Sequence, residues 1–355
     1  MVDTTDTSSE LPDDTDMTYR SEPLAPKTPP DASAPANGTK SGGRRLAAAF
    51  AWGSPFTALV AAVETLIATA LLGVQLTVAP AVVALVTFAV YTVDHVADAD
   101  ADAASTPDRA LLARRYGDQL MIAATLAYGL AVALAVTGGP LALALALLPG
   151  AFWLAYASDW LPELGRAVGG ALSSLAPAGP IAGRAGTGVT DGGHSRIPRL
   201  KDVLVVNSVV VAAGWATALT FLPITFAGTA VGPAVAAVFA YFFLRSFVDA
   251  ELPNVRDVDA DAAVGVATLP VVLGVVRTRR VLYGVDLLAA SAVTAAAAAG
   301  LLAWPLVAAL GLGIAASICV TALAGRINDE SVLGVAPDCT YLVVGAAIAG
   351  VSLIG

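Results

Sequence analysis

Apolar residues dominate long stretches of this chain, without the polar face that a helix on the surface of a soluble domain would carry. Runs such as Ala58 to Val74, Val203 to Phe221 and Ala289 to Ala303 hold almost no charge and approach the roughly 20 residues that a helix needs to cross a bilayer. Nine such segments are expected, at about 55 to 73, 77 to 95, 119 to 137, 140 to 158, 203 to 222, 228 to 247, 281 to 299, 301 to 323 and 337 to 355. Gly138, Gly139 and Pro140 part the third from the fourth, and Trp304 with Pro305 marks the turn into the eighth. Proline removes a backbone donor there and glycine loosens the helix. The fold class predicted is all-α, a polytopic membrane bundle of about nine transmembrane helices over residues 44 to 355.

Two regions break the pattern. Residues 1 to 43 are rich in Asp, Thr, Ser, Pro and Gly and offer nothing to build a core, so a disordered acidic tail is expected. Arg44 and Arg45 before Leu46 to Ala51 resemble a twin-arginine pair, but the pair lies deep in the chain and no small-residue cleavage site follows. The connection from about 159 to 200 contains Gly169, Gly170, Pro177, Pro180 and Gly192, and its middle, about 161 to 195, reads as a flexible insertion. Its last residues, Arg196 to Asp202, place two Arg and a Lys just before a membrane segment, where an anion could bind.

The basic residues test the segment map independently. Beyond the tail, Lys and Arg fall only at even-numbered connections: Arg109, Arg114 and Arg115; Arg166, Arg184, Arg196, Arg199 and Lys201; Arg245, Arg256, Arg277, Arg279 and Arg280; and Arg326. The positive-inside rule then puts the N-terminus and these connections in the cytoplasm and the C-terminus outside. On this map the charges lie at segment ends, Glu64 excepted.

Composition agrees with a membrane protein. Of 355 residues, 57% are apolar and 13% charged, with mean hydropathy +0.76, against about 25% charged in soluble domains. The net charge of -9 argues against nucleic acid as a partner. The bias to 22 Asp over 6 Glu and 16 Arg over 3 Lys reads as adaptation to high salt, or as GC-rich coding. Cys319 and Cys339 both lie in apolar segments, which leaves neither a disulfide framework nor a zinc site.

The candidate chemistry sits at the ends of the second and sixth segments. Asp94, Asp98 and Asp102 are spaced by four and share one face if the helix continues. Three stacked carboxylates repel one another unless a cation joins them, and Mg2+ suits such hard oxygens together with substrate phosphate; a solvated acidic loop is the other reading. Asp249, Glu251, Asn254, Asp257, Asp259 and Asp261 form a second cluster, in which Asn254, Asp257 and Asp261 share a helical face. Both clusters end even-numbered segments, so the topology puts them on one side of the membrane, with Arg and Lys nearby.

These motifs resemble those of the UbiA-type intramembrane prenyltransferases. The first corresponds to that family's Asn or Asp, Asp and Asp at four-residue spacing; the second, reading NVRDVDADAAVGVATLPVVLG from Asn254 to Gly274, is similar to the Asp-rich motif with its Thr-Leu-Pro and Gly tail. The resemblance spans about 50 to 355 and implies a nine-helix bundle with a central cavity open to the cytoplasm and to lipid. It implies transfer of a polyprenyl group from an isoprenoid diphosphate to a lipophilic acceptor: a quinone precursor, a prenylglyceryl phosphate or a carotenoid. Asp94, Asp98, Asp102, Asn254, Asp257 and Asp261 would then be Mg2+ ligands. Asp94 stands where many members have Asn, and Asn254 where many have Asp.

Arg199, Lys201 and Arg109 are the candidate cations for the leaving diphosphate, topogenic charge being the alternative. Tyr91, one turn before Asp94, is expected to line the cavity or to anchor at the interface. Glu64, inside the first segment, is a functional candidate because burying its charge is costly; it would orient the acceptor or take its proton. His95 and His194 lack metal-ligand spacing and read as structural or solvated. The rival to an enzyme is a non-catalytic transporter or lipid-binding protein that retains the fold.

Overall fold

The computed structural model describes residue 50 and residues 53–100, 106–157, 206–264, 267–327 and 330–354. The tail, the insertion about 161 to 195, Asp102, Arg199 and Lys201 lie outside the described residues. Within them the chain is helical throughout: α1 Ser54–Leu72, α2 Ala79–Ala97, α3 Pro107–Thr137, α4 Gly139–Ala157, α5 Val206–Ala227, α6 Ala234–Arg256, α7 Val258–Val264, α8 Leu269–Leu273, α9 Val275–Ala298, α10 Trp304–Leu323 and α11 Glu330–Ile354.

Seven of these, α1, α2, α3, α5, α9, α10 and α11, are long and apolar enough over the whole or most of their length to cross a membrane. α4 is apolar along its 19 residues, of which Gly139–Ala151 have described side chains. α6 is 23 residues long but carries Arg245, Asp249, Glu251 and Arg256. α6 lies over the expected sixth segment, and its polar side chains Arg245 and Glu251 are buried within the bundle.

The helices form a closed ring. Each long helix packs on its successor, α6 continues into α9, and α11 returns to α1, while α1 also crosses to α5 and α6. Leucines such as Leu59, Leu66, Leu126, Leu130, Leu287 and Leu312 are exposed on the outside, as lipid-facing residues would be. Arg245, Glu251, Asp286 and Thr321 are buried inside. This reverses the soluble pattern, since a bilayer rewards apolar surface and makes polar groups turn inward. Small residues let helices approach: a Cβ on Gly313 of α10 would collide with Val344 of α11, and one on Gly345 would come within 2.7 Å of Val63 of α1.

Helices run beyond their apolar segments. α3 begins at Pro107, and α11 begins at Glu330. Asp338 therefore lies in the third turn of α11 rather than at its start, and Asp286 lies well inside α9. This corrects the expectation that Glu64 is the lone charge within the spans.

Candidate functional site

α2 and α6 deliver the two acidic motifs, and both motifs bend where a continuous helix was expected. α2 stops at Ala97, and Asp98 caps it with its amide donating to the Asp94 carbonyl at 2.9 Å. The helix thus ends between Asp94 and Asp98, and Asp102 lies outside the described residues. α6 stops at Arg256; Asp257 caps it, and Asp261 follows in α7, with its amide donating to the Asp257 carbonyl at 2.9 Å. Carboxylates stacked at a helix C-terminus add to the negative pole of the helix dipole, so the helices end as the acids accumulate.

Beyond α6, the Thr-Leu-Pro and Gly tail fixes the return of the chain. Thr268 Oγ1 donates to Asp261 Oδ2 at 3.2 Å. Pro270 sits in the first turn of α8, where its missing donor costs nothing. Gly274, at φ +78°, separates α8 from α9, a conformation that side-chain-bearing residues rarely adopt. Burial holds the Asp261 carboxyl above its ordinary value, and the neighbouring Asp257 acts in the same direction.

Both helix ends open on one cavity of about 260 Å³. α1, α2, α3, α5, α6 and α11 all contribute to its wall. His95, next to Asp94, and Arg256, next to Asp257, both line it, as do Pro253 and Arg109. Arg109 Nη1 donates to His95 Nε2 at 3.2 Å. A guanidinium only donates, so Nε2 accepts and the ring proton lies on Nδ1, facing Ser54 Oγ at 3.2 Å. Arg256 grips Asp257 with two bonds, Nε to Oδ1 at 2.8 Å and Nη2 to Oδ2 at 2.6 Å. Asn254 Nδ2 donates to Glu251 Oε2 at 3.1 Å, which turns the Asn254 carbonyl oxygen toward other partners.

Tyr91 and Glu64 line the same cavity. The Tyr91 ring lies 6.1 Å from His95, edge to face, and 6.2 Å from Trp215 of α5. Deeper along the helices the wall carries Thr87, Asp249, Asp338 and Tyr341. Tyr341 donates its hydroxyl proton to Asp249 Oδ2 at 2.6 Å.

Behind that wall lies a buried guanidinium. Arg245, 0% exposed, donates through Nη1 to Asp286 Oδ1 at 2.8 Å and to Ser317 Oγ. Its Nη2 donates to Thr340 Oγ1 at 3.0 Å and Asp249 Oδ1 at 3.3 Å, and Ser317 Oγ donates to Asp286 Oδ2 at 2.9 Å. One side chain of α6 thereby joins α9, α10 and α11.

Of the described sequence candidates, Glu64, Tyr91 and Arg109 line the cavity, whereas Asp94, Asp98, Asn254, Asp257 and Asp261 belong to the segments at its mouth. No group of three His, Cys, Asp or Glu among the described residues is arranged to hold a metal on its own. Sequence reasoning passed over Trp215, Arg245, Asp286, Asp338 and Tyr341. The rule that singled out Glu64, an ionisable residue inside a span, reaches Asp286 and Asp338 once the helices are given their full length. His95, set aside as structural, is part of the mouth.

Residues 194–332 match the UbiA prenyltransferase family; the stretch contains the second acidic motif. Two solved structures are similar to it over most of the chain. A chain from a structural and mechanistic study of digeranylgeranylglyceryl phosphate synthase in membranes is 11% identical, with 85% of this chain and 96% of that chain covered and a TM-score of 0.48. A UbiA homologue from Archaeoglobus fulgidus, bound to DMAPP and Mg2+, is 12% identical, with 86% and 98% covered and a TM-score of 0.46. The comparison with curated proteins gives no match.

Proposed function

We propose that this chain, a member of the UbiA prenyltransferase family by its match over residues 194–332, transfers a polyprenyl group from an isoprenoid diphosphate to a hydrophobic acceptor within the membrane, with Mg2+ as cofactor. The observation that carries this reading is the meeting of two acidic helix ends at one cavity, whose wall includes His95 beside Asp94 and Arg256 beside Asp257. Asp94, Asp98 and Asp102 from one side and Asn254, Asp257 and Asp261 from the other are the residues that would hold Mg2+. Their hard oxygens fit an ion that takes one or two protein carboxylates and completes its shell with water and phosphate oxygens, so a site closed by protein ligands alone is not required. When bound, Mg2+ would neutralise charge on the departing diphosphate.

The chain's own residues do the rest. A diphosphate entering the mouth competes with Asp257 for the bidentate grip of Arg256, freeing that carboxylate as the anion is bound. Arg109 adds a second guanidinium at the mouth; Arg199 and Lys201 are the further cations. Such fixed positive charge stabilises the departing diphosphate as the allylic C–O bond breaks. Tyr91 and Trp215 present aromatic faces to the allylic carbon, where developing positive charge is attracted to the ring quadrupole. The acceptor, a quinone precursor, prenylglyceryl phosphate or carotenoid end, attacks in a space from which the surrounding helices exclude water. The acidic helix ends face the cytoplasm on the charge pattern of the connections.

Incubation of the purified chain with labelled geranylgeranyl diphosphate and these acceptors, with Mg2+ or with EDTA, tests the reading. Metal-dependent appearance of prenylated acceptor is expected. Failure to bind the diphosphate with Mg2+ present overturns it in favour of a non-catalytic membrane protein.

A further inference from the structure

The cavity has two electrically different ends. α1 runs from Ser54, which contacts His95 at the mouth, and Glu64 lies ten residues further, about 15 Å deeper at 1.5 Å per residue. α2 and α6 run the other way, which puts Thr87 and Asp249 about 10 to 12 Å inward from His95 and Arg256. The mouth therefore carries His95, Arg109 and Arg256, while the floor carries Glu64, Asp249 and Asp338 from three different helices. These three carboxyls line the wall of one cavity.

The floor has no cation to offer a ligand. Its nearest guanidinium, Arg245, is fully buried behind the wall and engaged by Asp286, Ser317, Thr340 and Asp249. Asp249 is held by Tyr341 and Arg245, and Tyr341 reaches Glu64 as well. Asp338 differs: it is half-buried, lines the cavity, and makes no hydrogen bond or ion pair among the described residues. A cavity-lining carboxyl that no protein group engages is left to interact with whatever occupies the cavity. The groups that face it are Glu64 on α1, Tyr91 on α2, Asp249 with Arg245 behind it on α6, and Tyr341 and Cys339 on α11 itself.

We propose that the floor is the acceptor subsite, that it admits an uncharged acceptor, and that Asp338 receives the proton this acceptor gives up. The proposal rests on the prenyltransferase reading above and narrows its acceptor class. A phosphate or carboxylate headgroup placed there would meet three carboxyls and no free cation in a low-dielectric space, where like charges repel strongly. An alcohol or an alkene carries no such penalty. In the step, the allylic C–O bond breaks and its electron pair leaves with the diphosphate at the mouth. The acceptor's pair, from a hydroxyl oxygen or a C=C bond, forms the new bond to the allylic carbon. The proton lost from that oxygen, or from the carbon beside the cationic centre, passes to the Asp338 carboxylate, which later releases it to water.

The test uses the full chain in lipid with labelled geranylgeranyl diphosphate, Mg2+, and isoprenoid acceptors of equal length ending in an alkene, an alcohol or a phosphate. Diphosphate binding and prenyl transfer are read separately. Transfer to the alkene or alcohol at least 100-fold above the phosphate is expected. In Asp338→Asn transfer drops at least 100-fold while diphosphate affinity stays within twofold, and Asp338→Glu restores part of the rate. Preference for the phosphate acceptor, full transfer by Asp338→Asn, or diphosphate binding with transfer to none of the three overturns the proposal. Loss of diphosphate binding by the unaltered chain would instead overturn the prenyltransferase reading itself.

Discussion

The mouth of the cavity and the brace behind its floor use the same residue types in opposite ways. At the mouth, Arg256 and Asp257 form a bidentate pair between neighbouring, partly exposed side chains, and helix ends leave the backbone beside them free to adjust. Behind the floor, Arg245 and Asp286 are 1% and 0% exposed and come from different helices. A partly solvated pair can exchange partners at small cost, whereas a buried pair that loses one member leaves an uncompensated charge. The first arrangement suits a site that must take up and release a charged ligand; the second suits a brace that fixes the surfaces around it.

The sharpest way to break this contrast is at the acidic motifs. Asp257→Ala should lower prenyl transfer by two orders of magnitude or more, in the range found for removing one stabilising group from a charged transition state, with the folded state retained in size-exclusion chromatography. Equal transfer by this variant would remove the mouth from the chemistry. Removing the brace is expected to act on stability instead. Arg245→Met should cost roughly 3 to 5 kcal/mol, by leaving Asp286 and Asp249 unpaired in the interior. Denaturant titration in detergent reads that loss, and replacing Asp286 by Asn in the same chain should recover part of it.

Smaller effects sharpen the comparison. Gly313→Val should destabilise the chain by about 1 to 3 kcal/mol, because its side chain would meet Val344 across α10 and α11; a thermal melt reads this without reference to activity. Arg256→Lys keeps the charge but loses the planar fork, so the Kd for the diphosphate should rise on the order of tenfold with little change in unfolding. The pair Arg114 and Asp100, 2.9 Å apart and largely exposed, marks the lower limit: Arg114→Ala should leave both melting and transfer unchanged.

The spans and the acidic helix ends were legible in the sequence because both depend on local pattern. A bilayer demands continuous apolar runs, and the acids of both clusters recur at three- or four-residue spacing. The bends at Asp98 and Asp257 were not legible, because spacing alone extends a helix through residues that in the fold terminate it. Nor was the floor. Asp338 and Asp286 stand alone in apolar sequence, and their meeting with Glu64 or Arg245 depends on the ring closing α11 against α1 and α6. Glu64 was found because it interrupts the longest apolar run; the same burial argument applies to Asp338, but the helix around it begins several residues earlier than its apolar stretch.

The central claim is that the cavity between the two acidic helix ends is where the isoprenoid diphosphate reacts. A photoreactive isoprenoid diphosphate, cross-linked to the intact chain in lipid with Mg2+ and mapped by mass spectrometry, addresses it directly. Labels on Tyr91, Val211, Trp215 or Leu333, which share that wall, and their loss under excess geranylgeranyl diphosphate, are the predicted result. Specific labelling confined to the lipid-facing surface, with the cavity wall unmodified, would contradict the account.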